Sequence, residues 1–372
     1  MFTNRMADQK PVDGRIMDNN TESTTNFLNW VDIKNFKSIK DLHLDCKRVN
    51  VFIGKPNVGK SNILEALGLL GANYSDEKYL NGSIRYEDVR DLFTDYNFDN
   101  SIIIKTNQLT ARLERIEQGK PIESTIEDSF SLTRESGSFN YRSFSLGNKG
   151  QVEAQGAGLF DDRKEKDDFE IYRTSPVKKY DFISLDSFKY TFSQYLLPPH
   201  GDNLYAVINR YPALWQGFNN VFQDQNLEFV LLDREQSLAL QKKEGPRLKR
   251  YPYFSIADTF RRYIFYVTAI ESNTDSVIVF EEPEVHSFPP YTHELAYRMI
   301  YDENNQYFIS THSPYMLHPF IEKMDRKDLN VFVTYYKDYQ THVRALTEEE
   351  FIDILDYSTN VFFNMSRFEH DG

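Results

Sequence analysis

Gly54-Lys55-Pro56-Asn57-Val58-Gly59-Lys60-Ser61 fits G-x-x-x-x-G-K-[ST], the pattern of a loop whose backbone N–H groups close around phosphate oxygens. The run before it, Val49-Asn50-Val51-Phe52-Ile53, is short, apolar and β-rich, as a strand buried in a parallel sheet should be. The run after it, Asn62 to Leu70, has helical spacing and good helix formers. An isolated glycine turn would carry little meaning. Strand, glycine loop and helix in that order predict an α/β fold of the P-loop NTPase type. The glycines let the backbone approach an anion, and the helix N-terminus adds its positive end. Gly54, Asn57, Val58, Gly59, Lys60, Ser61 and Asn62 are the expected nucleotide contacts. Lys60 would reach the β- and γ-phosphates of a nucleoside triphosphate, and the Ser61 hydroxyl would ligate Mg²⁺.

A chain of 372 residues is long enough for one large domain or two, with an ample core. Its 40% hydrophobic and 27% charged residues are ordinary globular values. The 29 Phe and 24 Tyr fit a bulky core and a Tyr-rich surface better than a base-stacking array. A net charge of −13 leaves no global basic field for nucleic acid, so any DNA contact must come from a local patch. Lys242, Lys243, Arg247, Lys249, Arg250, Arg261 and Arg262 form the candidate patch. A solvated face, or contacts to a partner subunit, would account for it equally well. The single cysteine, Cys46, excludes an intrachain disulfide framework and fits a reducing cytoplasm. No apolar run approaches the ~18–20 residues of a bilayer span. The N-terminus lacks the apolar core of a secretory signal. A cytoplasmic chain without membrane contact is expected.

Residues 1–26 are polar and read as a loose tail. Phe27 to Ile33, Asn35 to Ile39 and Asp41 to Leu44 alternate like antiparallel strands of a hairpin. Ile84 to Phe93 reads as a turn of helix, and Ser101 to Ile104 as a strand. The pattern loosens from about 111 to 250. There Gly119-Lys120-Pro121 is a turn signal, Ser138 to Leu146 alternates like a strand, and Asp161 to Asp168 is a charge cluster expected to loop out. Asp202 or Asn203 could cap a helix that follows them, and Leu227 to Leu232 is a strand. Order returns with a helix over Asp258 to Ile270, a strand over Ser276 to Phe280, a helix over Tyr291 to Tyr301, and strands at Tyr307 to Ser310 and Val331 to Tyr336. Two distant blocks, 27–110 and 251–372, must meet to finish one nucleotide site. Residues 111–250 would then be an insertion. No heptad pattern suggests a coiled-coil arm.

Val277 to Phe280 is an apolar strand that delivers Glu281-Glu282-Pro283-Glu284 at its C-terminal end, where ligands of α/β sheets sit. Phosphoryl transfer to water needs one acid for Mg²⁺ and one to polarise the water. Glu281 suits the first role and Glu282 the second. Phe308-Ile309-Ser310-Thr311-His312-Ser313-Pro314 then places His312 just past the next strand, where it could donate a hydrogen bond to the γ-phosphate or the attacking water. His286, His293 and His318 lack metal-ligand spacing. A P-loop kinase is a weaker reading, because these acid and histidine segments suit water activation better than an acceptor pocket.

GKPNVGKS, VIVFEEPEVHSFPP and FISTHSP resemble the Walker A, Walker B with D-loop, and switch-histidine segments of ABC-type ATPases, with the SMC/RecF/OLD-like group as nearest branch. The resemblance covers about half the chain. It implies an ABC-type head with a RecA-like lobe, an antiparallel β lobe and an inserted α+β lobe. It further implies a working state in which two heads sandwich ATP. Ile33-Lys34-Asn35-Phe36-Lys37-Ser38 resembles the strand whose following turn touches the nucleotide, so Lys37 joins the expected contacts. Ser255-Ile256-Ala257-Asp258-Thr259 is the best match to the signature loop that faces the partner's nucleotide. Ala257 stands at its glycine position and would crowd the γ-phosphate, which predicts slow turnover. Glu281 stands where most ABC enzymes carry Asp, although OLD-like relatives often carry EEPE. No glutamine matches the Q-loop, and Arg85 to Asp91 is the candidate region. The chain after His312 is too short for the Toprim domain of OLD nucleases, so intrinsic nuclease chemistry is not expected. By analogy the chain would be a sensor or motor subunit for a separate effector, a nuclease or toxin, in phage defence or DNA repair. A nucleotide-gated scaffold with little turnover is the alternative.

Overall fold

One short strand sets the layering of the molecule. β3 (Val49–Ile53) is buried along its whole length. Its side chains alternate with the two-residue period of a strand. Val49, Val51 and Ile53 enter one core and Phe52 the other. The computed structural model describes residues 26–71, 80, 83–116, 129–136, 142–146, 152–156, 175–223, 225–356 and 361–369.

β3 lies inside a six-stranded sheet with β9 (Val177–Tyr180), β13 (Val277–Glu281), β14 (Gln306–Ser310), β15 (Leu329–Lys337) and β16 (Gln340–Ala345). The order is β16-β15-β3-β14-β13-β9. All neighbours run parallel except β16, which returns antiparallel from β15. A second, antiparallel sheet contains β1 (Trp30–Phe36), β2 (Ile39–Asp45), β4 (Ile102–Thr106), β5 (Leu109–Ile116), β6 (Ser129–Ser136), β7 (Arg142–Leu146) and β8 (Val152–Gly156). Its order is β2-β1-β4-β5-β6-β7-β8.

Helix α1 (Lys60–Gly71) joins the two sheets. Its leucines pack with Val31, Ile33 and Ile104 of the antiparallel sheet and with Val279 and Phe308 of the parallel one. A helix that is apolar nearly all round belongs between layers, and each leucine buried there contributes about 1.5–3 kcal/mol. The other face of the parallel sheet is covered by α2 (Leu204–Arg210), α3 (Pro212–Gln223), α4 (Asp258–Ser272), α5 (Pro289–Tyr301), α6 (Pro314–Lys323) and α7 (Glu348–Asp356). β10 (Glu228–Leu232), β11 (Ser237–Glu244) and β12 (Arg247–Pro252) form a third, antiparallel sheet beside them.

The expected class holds: α/β, with a P-loop strand in a mostly parallel sheet, an antiparallel sheet and an added α+β part. Residues 111–250 divide among these layers. β5 to β8 continue the sheet of β1, β9 closes an edge of the parallel sheet, and α2, α3 and β10 to β12 make the α+β part. The helical turn expected at Ile84 to Phe93 is a 3-10 turn over Val89–Leu92, capped by the Asp88 carboxylate on the Arg90 N–H. Neither Asp202 nor Asn203 caps α2. Asn203 is committed elsewhere, accepting from the Leu197 N–H and donating to the Phe192 and Tyr195 carbonyls. Residues 1–25, Gly119-Lys120-Pro121 and 161–168 lie outside the described residues.

Candidate functional site

β3 delivers residues 54–59 at the C-terminal edge of the parallel sheet, and α1 begins directly afterwards. Gly54 and Gly59 have φ of +153° and +102°, backbone regions that glycine alone adopts without strain. Space is closed there as well. A Cβ on Gly54 would stand 2.2 Å from the Thr334 carbonyl oxygen, and one on Gly59 2.0 Å from Thr341 Oγ1. Thr341, on β16, roofs the loop. Its hydroxyl donates to the Val58 carbonyl (3.0 Å), its N–H donates to the Ser38 carbonyl (2.8 Å), and its Oγ1 lies 2.6 Å from Ser38 Oγ. Asn62 donates its amide to Ser38 Oγ (2.6 Å), which ties α1 to the β1–β2 turn. Lys60 is 5% exposed, and its Nζ donates to the carbonyls of Gly54 (3.0 Å) and Lys55 (2.8 Å). Burial pushes its ammonium pKa down to about 8, against the pull of Glu282 and Glu281.

The register of β13 on β14 sets Glu281 beside Ser310, so the acid segment and the histidine segment leave the sheet together. Glu281 lies 3.1 Å from Arg85 Nη2 and 3.7 Å from Lys179 Nζ. Glu282 takes a left-handed backbone conformation, φ +43°, and its N–H donates to the Ser310 carbonyl (3.1 Å). His312 Nε2 stands 3.2 Å from Glu282 Oε1. Burial and the nearby Lys60 charge hold the imidazole pKa below its ordinary value, against Glu282, which favours the neutral ring. Glu284 accepts from Thr311 Oγ1 (2.6 Å) and the His312 N–H (2.8 Å). Lys60, Glu281, Glu282 and His312, distant in sequence, therefore share one place.

Lys37 sits on the β1–β2 turn, but its ammonium pairs with Glu65 and donates to the Arg85 carbonyl (2.6 Å). Glu65 is 1% exposed and also accepts from Arg85 Nε (2.6 Å). A chain of charges thus runs from Lys37 through Glu65 and Arg85 to Glu281. Sequence reasoning missed Glu65, Lys179, Glu284 and Thr341. Glu65 had a signal, a lone charge inside an apolar helix; Thr341 had none. Arg85 falls in the segment read as the Q-loop region. Lys55, inside the loop, donates to Ser366 Oγ (3.1 Å) and pairs with Glu369 (2.9 Å). Phe362, from the same C-terminal segment, lies 6.3 Å from the His312 ring.

Ser255 and Ala257 lie at the start of α4. The Ser255 hydroxyl donates to the Pro252 carbonyl (2.7 Å), and Ala257 immediately precedes the helix. Thr259 Oγ1 donates to the His286 carbonyl (2.7 Å), which ties this start to the acid segment. The basic cluster divides. Arg261 and Arg262 pair with Asp258, and Lys242 and Lys249 each lie 2.6 Å from Glu244. Lys243, Arg247 and Arg250 have no ion pair among the described residues. No described helix is long and apolar enough to cross a membrane.

The residues present suit a nucleoside triphosphate with Mg²⁺. The cradle is one a Cβ would fill, its lysine holds only loop carbonyls, a helix N-terminus faces it, and Mg²⁺ needs only one or two protein oxygens beside the phosphates. The sequence model of the family described as AAA ATPase domain matches residues 27–243, more than half of the chain. No curated protein matches. Among solved structures the chain is similar to an SmcHead bound to the C-winged helix domain of ScpA, at 13% identity over 88% of this chain and 100% of that one, TM-score 0.47. It is similar to an Smc head domain with an extended coiled coil bound to the C-terminal domain of ScpA, derived from Pyrococcus furiosus, at 13% identity over 89% and 99%, TM-score 0.48. An SMC head domain from Thermotoga maritima matches at 10% identity over 86% and 99%, TM-score 0.38.

Proposed function

This chain belongs to the AAA ATPase domain family, and on that premise we propose that it is an ABC-type head that hydrolyses ATP to ADP and phosphate. The observation that carries the reading is the meeting of Lys60, Glu282 and His312 at the edge of one parallel sheet. Mg²⁺ held by the Ser61 hydroxyl and Glu281 would draw off charge from the phosphates. The loop N–H groups and Lys60 bind the β- and γ-phosphates, the ammonium turning from the carbonyls of Gly54 and Lys55. Glu282 accepts the proton of the attacking water, and neutral His312 donates its Nε2–H on the γ-phosphate side. Lys37 contributes from the β1–β2 turn once it leaves Glu65, and Gly54, Asn57, Val58, Gly59 and Asn62 form the rest of the cradle. In this scheme 27–110 and 251–372 are the two parts of the head, and 111–250 is an insertion except that β9 completes the parallel sheet and β5 to β8 extend the antiparallel one.

Two copies engage around ATP, with Ser255 and Ala257 of each facing the nucleotide of the other. Phe254 and Phe288, 61% and 58% exposed beside the two linked segments, support such a face. A separate effector, a nuclease or toxin in phage defence or DNA repair, rests on analogy alone. DNA contact would fall to Lys243, Arg247 and Arg250 on the β11–β12 hairpin. The alternative, a nucleotide-gated scaffold, is favoured by Ala257 at the glycine position. Phosphate release separates the two. The wild type should release phosphate from ATP, and Glu282→Gln should bind ATP but release about 100-fold less or slower, within the usual contribution of a positioned base. A wild type that binds ATP and releases no phosphate leaves the scaffold.

A further inference from the structure

We propose that Glu284 is a positioning residue for hydrolysis: its carboxylate ties the acid segment after β13 to the histidine segment after β14, and so fixes where His312 stands against Glu282. The proposal rests on the ATPase reading of the same site. Both donors to Glu284 Oε1, the Thr311 hydroxyl at 2.6 Å and the His312 N–H at 2.8 Å, belong to the histidine segment. Thr311 is held on two further sides. Its N–H donates to the carbonyl of Phe52, on the strand that carries the P-loop, at 3.1 Å. Its Oγ1 accepts from the Ser313 N–H at 3.0 Å, just before α6 begins. One carboxylate therefore sits at the junction of three segments: the acids, the histidine and the strand leading into the phosphate loop.

The arrangement has an energetic cost that marks it out. Glu284 Oε2 is sealed from solvent and has no hydrogen-bond partner among the described residues. Burial raises the carboxyl pKa, while the two donors on Oε1 favour the ion. An unsatisfied buried acceptor is destabilising, and native folds keep few of them. Fold stability alone would be served better by an apolar side chain here. What the carboxylate supplies is a pair of hydrogen bonds that hold the His312 backbone. With that backbone fixed, Nε2 lies 3.2 Å from Glu282 Oε1. Removing the carboxylate frees the Thr311 hydroxyl and the His312 N–H together, and a displacement of about 1 Å at a reacting group can cost on the order of 10²-fold in rate.

Three variants test this: Glu284→Ala, Glu284→Gln and Thr311→Val. Glutamine keeps an oxygen that accepts both bonds. Valine keeps the shape of Thr311 but removes one donor. For Glu284→Ala we expect kcat to fall about 100-fold, with the affinity for a fluorescent ATP analogue unchanged. Thr311→Val should fall by less, and Glu284→Gln should keep most of the wild-type rate. Histidine NMR titration gives a second readout that needs no turnover. In the wild type the His312 ring, faced by Lys60, Glu282 and the Glu284 segment, titrates below the ordinary imidazole value. Glu284→Ala should move it up towards that value as the ring leaves its buried place, and Glu284→Gln should not. A Glu284→Ala protein with wild-type kcat and unmoved titration overturns the proposal. So does equal damage in alanine and glutamine variants, because charge rather than the acceptor would then matter. A wild type without ATPase activity removes the ATPase reading, and the titration alone then decides whether Glu284 positions His312. If Glu284→Ala does not fold, the glutamine and valine variants carry the same decision.

Discussion

At the scale of single residues, Lys60 is the plainest test of the site. It is nearly sealed, and it donates to two loop carbonyls that a phosphate would replace. Lys60→Ala should abolish detectable ATP binding in calorimetry while the far-UV circular dichroism stays unchanged. Micromolar affinity in that variant would remove the assignment. Lys60, Glu282 and His312 were legible in the sequence because each follows a recognisable strand by a fixed number of residues. Glu284 was legible as an acid but not as a link, since its role depends on what the neighbouring strand brings beside it. Thr341 could not be read at all. It meets Val58 across 283 positions of chain, and no local pattern encodes such a contact.

Among the elements, β9 shows where pattern reading gives way. Its sequence, Val177-Lys178-Lys179-Tyr180, carries two adjacent lysines, and a buried strand is sought as an apolar run. The fold buries it anyway. Lys178 donates to Asn273 Oδ1 (2.5 Å) and Ser276 Oγ (3.0 Å) and lies 3.7 Å over the Tyr195 ring, while Lys179 turns towards Glu281. With no carboxylate beside it among the described residues, burial pushes the Lys178 pKa down to about 7. Free lysine in an unfolded chain titrates near ~10.4. Between these values the unfolded state holds the extra proton, so this group makes stability rise with pH from about 7 towards 10, and contributes no slope below about 6. Urea unfolding of Lys178→Met between pH 6 and 9 should show a flatter rise than the wild type, by up to about 1 kcal/mol per pH unit. Parallel slopes in the two proteins would mean that Lys178 keeps its proton in the fold. β3, β13 and β14 were readable as short, mostly apolar runs, and α1 and α4 from helical spacing, because each buries a continuous apolar surface.

For the whole molecule, the decisive question is whether ATP joins two copies. Glu282→Gln keeps size and removes the proposed base, so on this reading bound ATP should persist and hold two copies together. A differential affinity of ~3 kcal/mol would change the dimer population by roughly a hundredfold. Light scattering of Glu282→Gln with ATP, with ADP and without nucleotide should give a larger mass with ATP alone. The same mass in all three conditions contradicts the sandwich, and Ala257, beside the exposed Phe254, would be the first position to change to glycine.

On the ribosome, the strand order of the parallel sheet imposes a wait. β1, β2 and β4 find all their paired strands within residues 30–116, so they can assemble early. β3 lies within the same stretch, yet both its partners, β14 and β15, come from residues 306–337. At synthesis rates of about 5–20 residues per second, that leaves a mostly apolar strand unpaired for roughly 15–60 s. The nascent chain therefore exposes this segment until late, and its phosphate loop lacks the Thr341 roof until translation has passed β16. Stalled or truncated products would present the nucleotide motif in their sequence and yet be unable to hold a nucleotide.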